Sequence, residues 1–500
     1  MTDRTDRRSQ YLPMLLVLAL ALAIRIHDLA SWPFEQDELY TLRDALRLSG
    51  VSKDAPGIVA RPVYYLLQHL LLLAAPPTPL VLRLPAFVFG LAGVWLTWEV
   101  GRRHFSPRGG LVAALLVALS PWHLYASQFA RYWTLVYLLA ALACLALPQA
   151  LDHDRPARYV GALLIVLLGA LTHPTFLFPL VGVAFALMIV SAEGRIAWRW
   201  PTRTGWAWLW GPLLVTALVG SVALRATGNA SAYSNGWGRG LFATARTIPG
   251  MVEWVSPGLV IAGVGGVCLL WLRPGHPSDR RWAAMAALGT ASGVSLLLWA
   301  GLRNGIYADY GMAMLPLLYL TVGGAIARTS ENMGWGGAWA VVATAVLVAG
   351  ALPGTLSNLS DGMRFDYRPA YQYLQQAGAG RLAIGWPVAE QRYYAPGIPF
   401  QGLDGMNVTV PFLERTLTGS SGFWFVGSQG REGVIGVDPA AAHWMDMHCE
   451  TVLRTERPRF DFRVYEVELL WCGPASDPPD PIVFGARESW KGVVGVRRGP

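Results

Sequence analysis

The stretch Trp32-Pro-Phe-Glu-Gln-Asp-Glu-Leu-Tyr40 follows the first long apolar run directly. It sets three carboxylates, Glu35, Asp37 and Glu38, where a membrane helix should emerge into water. Acids at a bilayer edge are costly unless they are used or paired. Two readings fit: a general base at the membrane surface, or a solvated helix start whose acids suit the helix dipole. Arg61, Arg83, Arg131, His173, Arg225, Arg303 and Asp309 also fall at the ends of apolar runs, all on one expected side. A transporter tends to place its charges near the midplane. A polar set gathered at one face suits chemistry on a substrate anchored in one leaflet. A lipid-phosphate sugar is such a substrate. A carboxylate would take the acceptor's proton, guanidinium groups would hold the leaving phosphate, and in-line displacement would invert the anomeric carbon. The donor arrives in the lipid, so no nucleotide-binding fold is needed, and no Walker loop, dinucleotide fingerprint or Cys/His metal spacing occurs.

The elements that must position these groups are membrane helices. The chain has 500 residues, 53% hydrophobic and only 14% charged, against about 25% charged in soluble domains. Apolar runs of about 20 residues recur from Leu12 to Thr355. The expected fold is a polytopic α-helical membrane protein of about 11 spans, followed by a soluble α/β domain. Lysine occurs only at Lys53 and Lys491, so the net charge of +8 is carried almost wholly by arginine. Its gathering in short loops is the positive-inside pattern, not a nucleic-acid footprint. The first run continues to Leu29 and reads as a retained span rather than a signal peptide.

The Arg-rich loop Gly101–Arg108 stays on the basic side only if residues 63–75 do not cross. Residues 31–82 are therefore expected to form one large external loop with interfacial helices near 37–49 and 63–75. Further spans are expected at 83–101, 110–127, 132–150, 159–172, 175–192, 207–226, 252–272, 282–302, 308–328 and 336–356. This gives a membrane domain, residues 1–356, and an exported α/β domain, residues 357–500. In the latter, Arg368–Ala377 reads as a helix, and Arg381–Trp386 and Gly422–Val426 as strands. Thr451–Glu456 and Phe462–Val467 read as a hairpin turning at Arg457-Pro-Arg459. Cys449 and Cys472 flank that hairpin symmetrically. Antiparallel pairing would bring them close enough for a disulfide, which an exported domain permits; the alternative is two unpaired thiols. Cys144 and Cys268 lie within spans as packing residues.

Arg83-Leu-Pro-Ala-Phe-Val-Phe-Gly90, Gly101-Arg-Arg-His-Phe105, Leu119-Ser-Pro-Trp-His-Leu-Tyr-Ala-Ser-Gln128 and Ala130-Arg-Tyr132, after Asp37-Glu38, form an ordered series. It resembles the GT-C glycosyltransferases of the ArnT and protein O-mannosyltransferase type. The resemblance covers residues 12–190 and is diffuse afterwards. It implies an inverting enzyme that moves a sugar from a polyprenyl-phosphate donor to a glycan, lipid or protein acceptor. Such an enzyme would sit in the bacterial inner membrane, with the site and the C-terminal domain facing the periplasm or exterior. Asp37 would be the catalytic base, and Glu38 would support it or orient the acceptor. Arg83 and Arg131 would lie near the lipid phosphate, with Tyr132 beside them. Thr172-His173 resembles a Thr-His-Tyr element, so His173 would line the site. Arg61-Pro62 with Tyr64-Tyr65 stands where relatives carry His-Pro-Pro and aromatics; Arg61 replaces the His and Val63 the second Pro. Relatives carry Arg-Tyr before a late Leu-Pro. Here Asp309-Tyr310 precedes Leu315-Pro316, so that arginine is missing, and Arg303 would be the candidate substitute.

Plainer roles stand beside these: a snorkelling span end for Arg83, a helix-terminus charge for Arg131, a satisfied helix-end imidazole for His173, and interface-belt rings for Tyr64 and Tyr65. A transporter or flippase of lipid-linked sugars is the alternative function, and an inactive scaffold a third. No cofactor is assigned. Asp37 and Glu38 could hold a divalent metal, but the ligand set is incomplete. Asn407-Val-Thr409 reads as a chance sequon.

Overall fold

The computed structural model describes residues 3–49, 61–215, 247–304 and 308–474, apart from 332, 334, 378–379, 387, 404–407, 421, 431–432, 435 and 456–465. The sequon at Asn407 and the Arg457–Arg459 turn lie outside the described residues, as does the second half of the span expected at 207–226. The protein is a polytopic helical membrane protein with a small α/β unit. Among the described residues five helices are long and apolar enough to cross a bilayer, and two helix pairs bent by 64° and 92° raise this to seven. Four shorter apolar helices accompany them: Tyr11–Ile26, Pro62–Ala74, Pro156–Thr172 and Pro174–Ile189.

The chain forms two compact units. The first comprises residues up to His27, Asp44–Pro76 and Arg83–Thr355; the second comprises Asp28–Arg43, Pro77–Leu82 and the residues from Leu356 on. Small residues set the helix packing of the first unit. A Cβ on Gly182 would strike the Leu288 carbonyl, and one on Gly289 would meet Leu317 and Val183. The helices Leu177–Ile189 and Pro277–Asn304 approach closely because of these glycines.

The expected span 110–127 is broken at Ser120. The helix Pro107–Ala118 ends there, and Pro121–Ser127 starts at 64° to it. Ser120 Oγ accepts from the His123 N–H at 3.2 Å, and Pro121 occupies the first helical position, which needs no donor. The carbonyls exposed by the break are taken by a buried arginine. Arg25 donates to Ala118 O at 2.9 Å and Val117 O at 3.3 Å, and also meets His123 Nδ1 at 3.0 Å and Ser127 Oγ at 3.2 Å. A cation at a helix C-terminus satisfies the orphan carbonyls and the dipole together. Gln128 returns the contact, donating to Arg25 O at 3.0 Å and His27 O at 2.8 Å. The first helix and the 118–128 corner therefore lock each other, which fixes the segment leading to Arg131. The span expected at 252–272 breaks in the same way, at Ser256-Pro257, with a 92° bend.

In the second unit the sheet order is β2-β1-β3-β6-β5, with β4 (Gly433–Val434) paired to β3 off that path. β1 (Ala383–Gly385) runs parallel to β2 (Phe400–Gly402) and β3 (Phe423–Gly430). β6 (Glu466–Cys472) is antiparallel to β3 and to β5 (Cys449–Arg454). β6 is buried along its whole length because both of its faces are covered. One face packs Tyr371, Trp424 and Trp471, the other Ile384, Phe425 and Leu470. The second strand of the expected hairpin, 462–467, lies outside the described residues up to 465, and from Glu466 the strand continues to Cys472. Cys449 pairs opposite Cys472 in the register, and the two form a disulfide. The helix Arg368–Ala377 has the expected limits.

Candidate active site

In the first unit, five predicted residues pack together with Arg61. Arg61 precedes the helix Pro62–Ala74, whose buried face carries Tyr64, Tyr65 and Gln68. Its guanidinium donates to Tyr132 Oη at 2.7 Å and lies over the Tyr132 ring, 5.0 Å from the centroid. Arg131 donates to Tyr65 Oη at 3.0 Å and faces the same ring at 5.4 Å. Tyr64 meets Tyr132 edge-on at 6.1 Å. His173, at the C-terminal end of the helix Pro156–Thr172, stacks on Tyr132 at 4.8 Å. Its Nδ1 and Thr175 Oγ1 are 2.7 Å apart, which fixes the ring. Trp133 and Tyr310 close the aromatic wall around His173 at 5.0 and 5.2 Å. Arg61 Nε and His173 Nε2 are both buried without a hydrogen-bond partner.

Buried polar atoms are nearly always satisfied, and those that are not call for an explanation. Here two nitrogens are shielded from water beside two guanidinium groups whose described partners are neutral phenols. An anion with several acceptor oxygens fits this arrangement.

Arg83 is fully buried in the first part of the helix Pro79–His104. Thr134 Oγ1 donates to Ala86 O at 2.9 Å, which ties that helix to the turn just after Tyr132. Arg303 ends the helix Pro277–Asn304, and its side chain lies outside the described residues. The same unit contains an apolar cavity of about 490 Å³ lined by Trp122, Met251, Val255, Gly263, Met314 and Leu318.

Asp37 and Glu38 belong to the second unit. They lie in the first turn of the helix Gln36–Leu46, where acids suit the dipole. Glu38 Oε2 accepts from the Glu35 N–H at 3.2 Å, the reciprocal half of a capping box. The same oxygen meets Arg364 Nη1 at 3.3 Å, with both side chains fully buried. Arg364 also donates to Pro33 O at 3.3 Å. Glu38 is therefore built into the turn, while Asp37, one residue earlier, keeps partial exposure. Arg368 is held by Asp366 at 2.8 Å and donates to Ser31 O at 2.9 Å. The Phe34 N–H donates to Tyr394 Oη at 2.7 Å. Arg364, Arg368 and Tyr394 are the supporting residues that sequence reasoning missed, and no local motif marks them. Among the described residues, no three His, Cys, Asp or Glu groups gather as a metal would require.

Residues 56–223 match the family model described as dolichyl-phosphate-mannose-protein mannosyltransferase. No curated protein matches the chain. Among solved structures, ArnT from Cupriavidus metallidurans bound to undecaprenyl phosphate superposes with a TM-score of 0.53 at 12% identity, covering 92% of this chain and 99% of that one. The Archaeoglobus fulgidus oligosaccharyltransferase in complex with Zn and sulfate superposes at 0.50 with 12% identity, covering 88% of this chain and 72% of that one. The shared feature is the GT-C fold of polytopic membrane glycosyltransferases.

Proposed function

We propose that this chain, a member of the GT-C, protein-mannosyltransferase-like superfamily, moves a sugar from a polyprenyl-phosphate donor to a glycan, lipid or protein acceptor, with inversion. The reaction is placed at the outer face of the bacterial inner membrane. The observation that carries the reading is half-buried Arg61 beside buried Arg131, both hydrogen-bonded to phenols, with the buried Arg61 Nε and His173 Nε2 left without a hydrogen-bond partner. A lipid phosphate supplies the acceptor oxygens that those donors need. The apolar cavity beside Trp122 suits isoprenoid carbon rather than a polar solute.

In the proposed step the Asp37 carboxylate takes the proton of the acceptor hydroxyl. The acceptor oxygen then bonds to the anomeric carbon as the bond from that carbon to the phosphate oxygen breaks. The electron pair stays on the lipid phosphate, where the guanidinium groups stabilise it. Glu38 acts by holding the turn through Arg364 and the Glu35 N–H. Asp37→Asn removes the base while keeping the shape. Turnover of a radiolabelled polyprenyl-phosphate sugar in detergent should fall by about 10²–10⁴-fold. Near-wild-type turnover would exclude Asp37 from the mechanism. Detergent also separates transfer from transport, since transport needs a sealed bilayer.

A further inference from the structure

The chain that leaves the helix Leu177–Ile189 folds straight back onto the end of it. The Ser191 N–H donates to Arg195 O and the Gly194 N–H to Ser191 O, both at 3.0 Å. Gly194 has φ +70°, a conformation that favours glycine. Val190 and Ile196 then pair antiparallel, and the Ala197 and Arg199 N–H groups reach Ile189 O and Met188 O at 3.0 and 2.8 Å. Amides two residues apart that bond to the same side mark an extended segment, whose side chains alternate. Ile196, Trp198 and Trp200 share one face and are 76%, 51% and 73% exposed. Trp198 meets Phe185 edge-on at 6.0 Å and Trp200 at 5.5 Å, so this face continues the exposed apolar side of the helix. Arg195 and Arg199 take the opposite face, Arg203 follows, and all three are exposed. Thr202 fastens the far end. It donates to Asp154 Oδ1 at 2.6 Å and accepts the Gly205 N–H at 3.0 Å.

Other basic loops of this unit match their arginines with acids. Glu99 pairs with Arg102 and Arg103, Asp152 with Arg281, and Asp279 and Glu331 with Arg328. Between residues 191 and 203 three arginines face one acid, Glu193. It meets Arg199 at 3.4 Å with both side chains well exposed, an arrangement that binds weakly. Arg195 and Arg203 make no ion pair among the described residues.

We propose that residues 195–203 form a binding surface for anionic phospholipid: Ile196, Trp198 and Trp200 lie in the bilayer at headgroup depth, and Arg195, Arg199 and Arg203 meet the lipid phosphates. Tryptophan rings suit that depth, and guanidinium groups bind phosphate through paired N–H donors. Four residues of extended chain span ~13 Å, so Arg195 and Arg199 address neighbouring headgroups rather than one phosphate. The attraction therefore follows the net charge of the leaflet and is screened by salt. The inference does not depend on the proposed transfer reaction.

The test equilibrates the full chain in nonionic detergent with equal amounts of phosphatidylglycerol and phosphatidylcholine, then quantifies the co-purified lipids by mass spectrometry. Wild type should enrich phosphatidylglycerol at about 0.1 M salt and lose the enrichment at about 1 M. R195Q/R199Q/R203Q should lower the enrichment about fivefold or more, the worth of one arginine near an anionic surface. R195K/R199K/R203K keeps the charges and should stay within about threefold of wild type. R102Q/R103Q, at a loop whose arginines are matched, should stay within about twofold. Equal retention of the two lipids by wild type, wild-type enrichment in the glutamine variant, or an equal loss in R102Q/R103Q would overturn the proposal. Should the glutamine variant not fold, the wild-type salt dependence decides: enrichment that persists at about 1 M salt overturns it.

Discussion

The cation cluster and the acidic turn draw their supports from very different distances along the chain. Arg61 reaches Tyr132 across 71 residues, and Arg131 reaches Tyr65 across 66. Arg364 reaches Glu38 across 326, and Tyr394 reaches Phe34 across 360. They also treat charge differently. Arg61 and Arg131 are hydrogen-bonded to the phenols of Tyr132 and Tyr65. Glu38 is paired with the guanidinium of Arg364 and also accepts the Glu35 N–H.

The largest effect that would sharpen this contrast is expected at Arg364. Arg364→Met strands the Glu38 carboxylate in a dry site and should destabilise the second unit by about 3–5 kcal/mol. Thermal unfolding in detergent would show it. Pairing it with Glu38→Gln should recover most of the loss; no recovery would mean that Arg364 acts through something other than that pair. Next comes the disulfide. Cys449 and Cys472 are 23 residues apart, and reduction should cost about 2–4 kcal/mol. That loss should leave the first unit's unfolding unchanged, and a shift in both units would break the division. The smallest is Arg61→Gln, which removes one charge-assisted contact of about 1.5–3 kcal/mol. It should lower kcat/KM for the lipid donor by about 10–100-fold while unfolding stays at the wild-type temperature. A loss of stability without a kinetic effect would make Arg61 a structural residue like Arg364.

Stability linked to Glu390, in the helix Val388–Tyr394 of the second unit, has a definite sign. Burial lifts its folded-state pKa to about 9 against an ordinary 4.5. The folded protein keeps a proton that the unfolded chain has lost, so stability declines as pH rises from 4.5 to 9 and levels off above. Glu390→Gln should flatten that slope in pH-dependent unfolding.

Much of the first unit could be read from its residues. The interfacial helix expected at 63–75 spans Pro62–Ala74, and its two tyrosines face inward. Arg61, Arg131, Tyr132 and His173 gather because each stands at the end of an apolar run, and the ends of packed spans come together. The breaks at Ser120 and Ser256 were missed although the signal is local. Ser followed by Pro is an N-cap and a first helical residue, but hydropathy averaged over a window runs straight through it. In the second unit the C-terminal limit of β6 was set short of Cys472, because Leu469, Leu470 and Trp471 are all buried in a central strand and carry no alternating pattern. Arg364 and Tyr394 could not be found by any local rule: an isolated arginine and tyrosine in a soluble-looking tail become informative only once the fold sets them against residues 33–38.

Residues 28–43 cluster with the C-terminal third rather than with the helices on either side of them. A fragment ending at residue 355 would therefore retain both Asp37 and Glu38 in its sequence, yet lose the guanidinium and phenol that hold their loop in shape. The acidic loop and the last third of the chain are thus one folding unit, and cutting at the end of the last apolar helix would divide it.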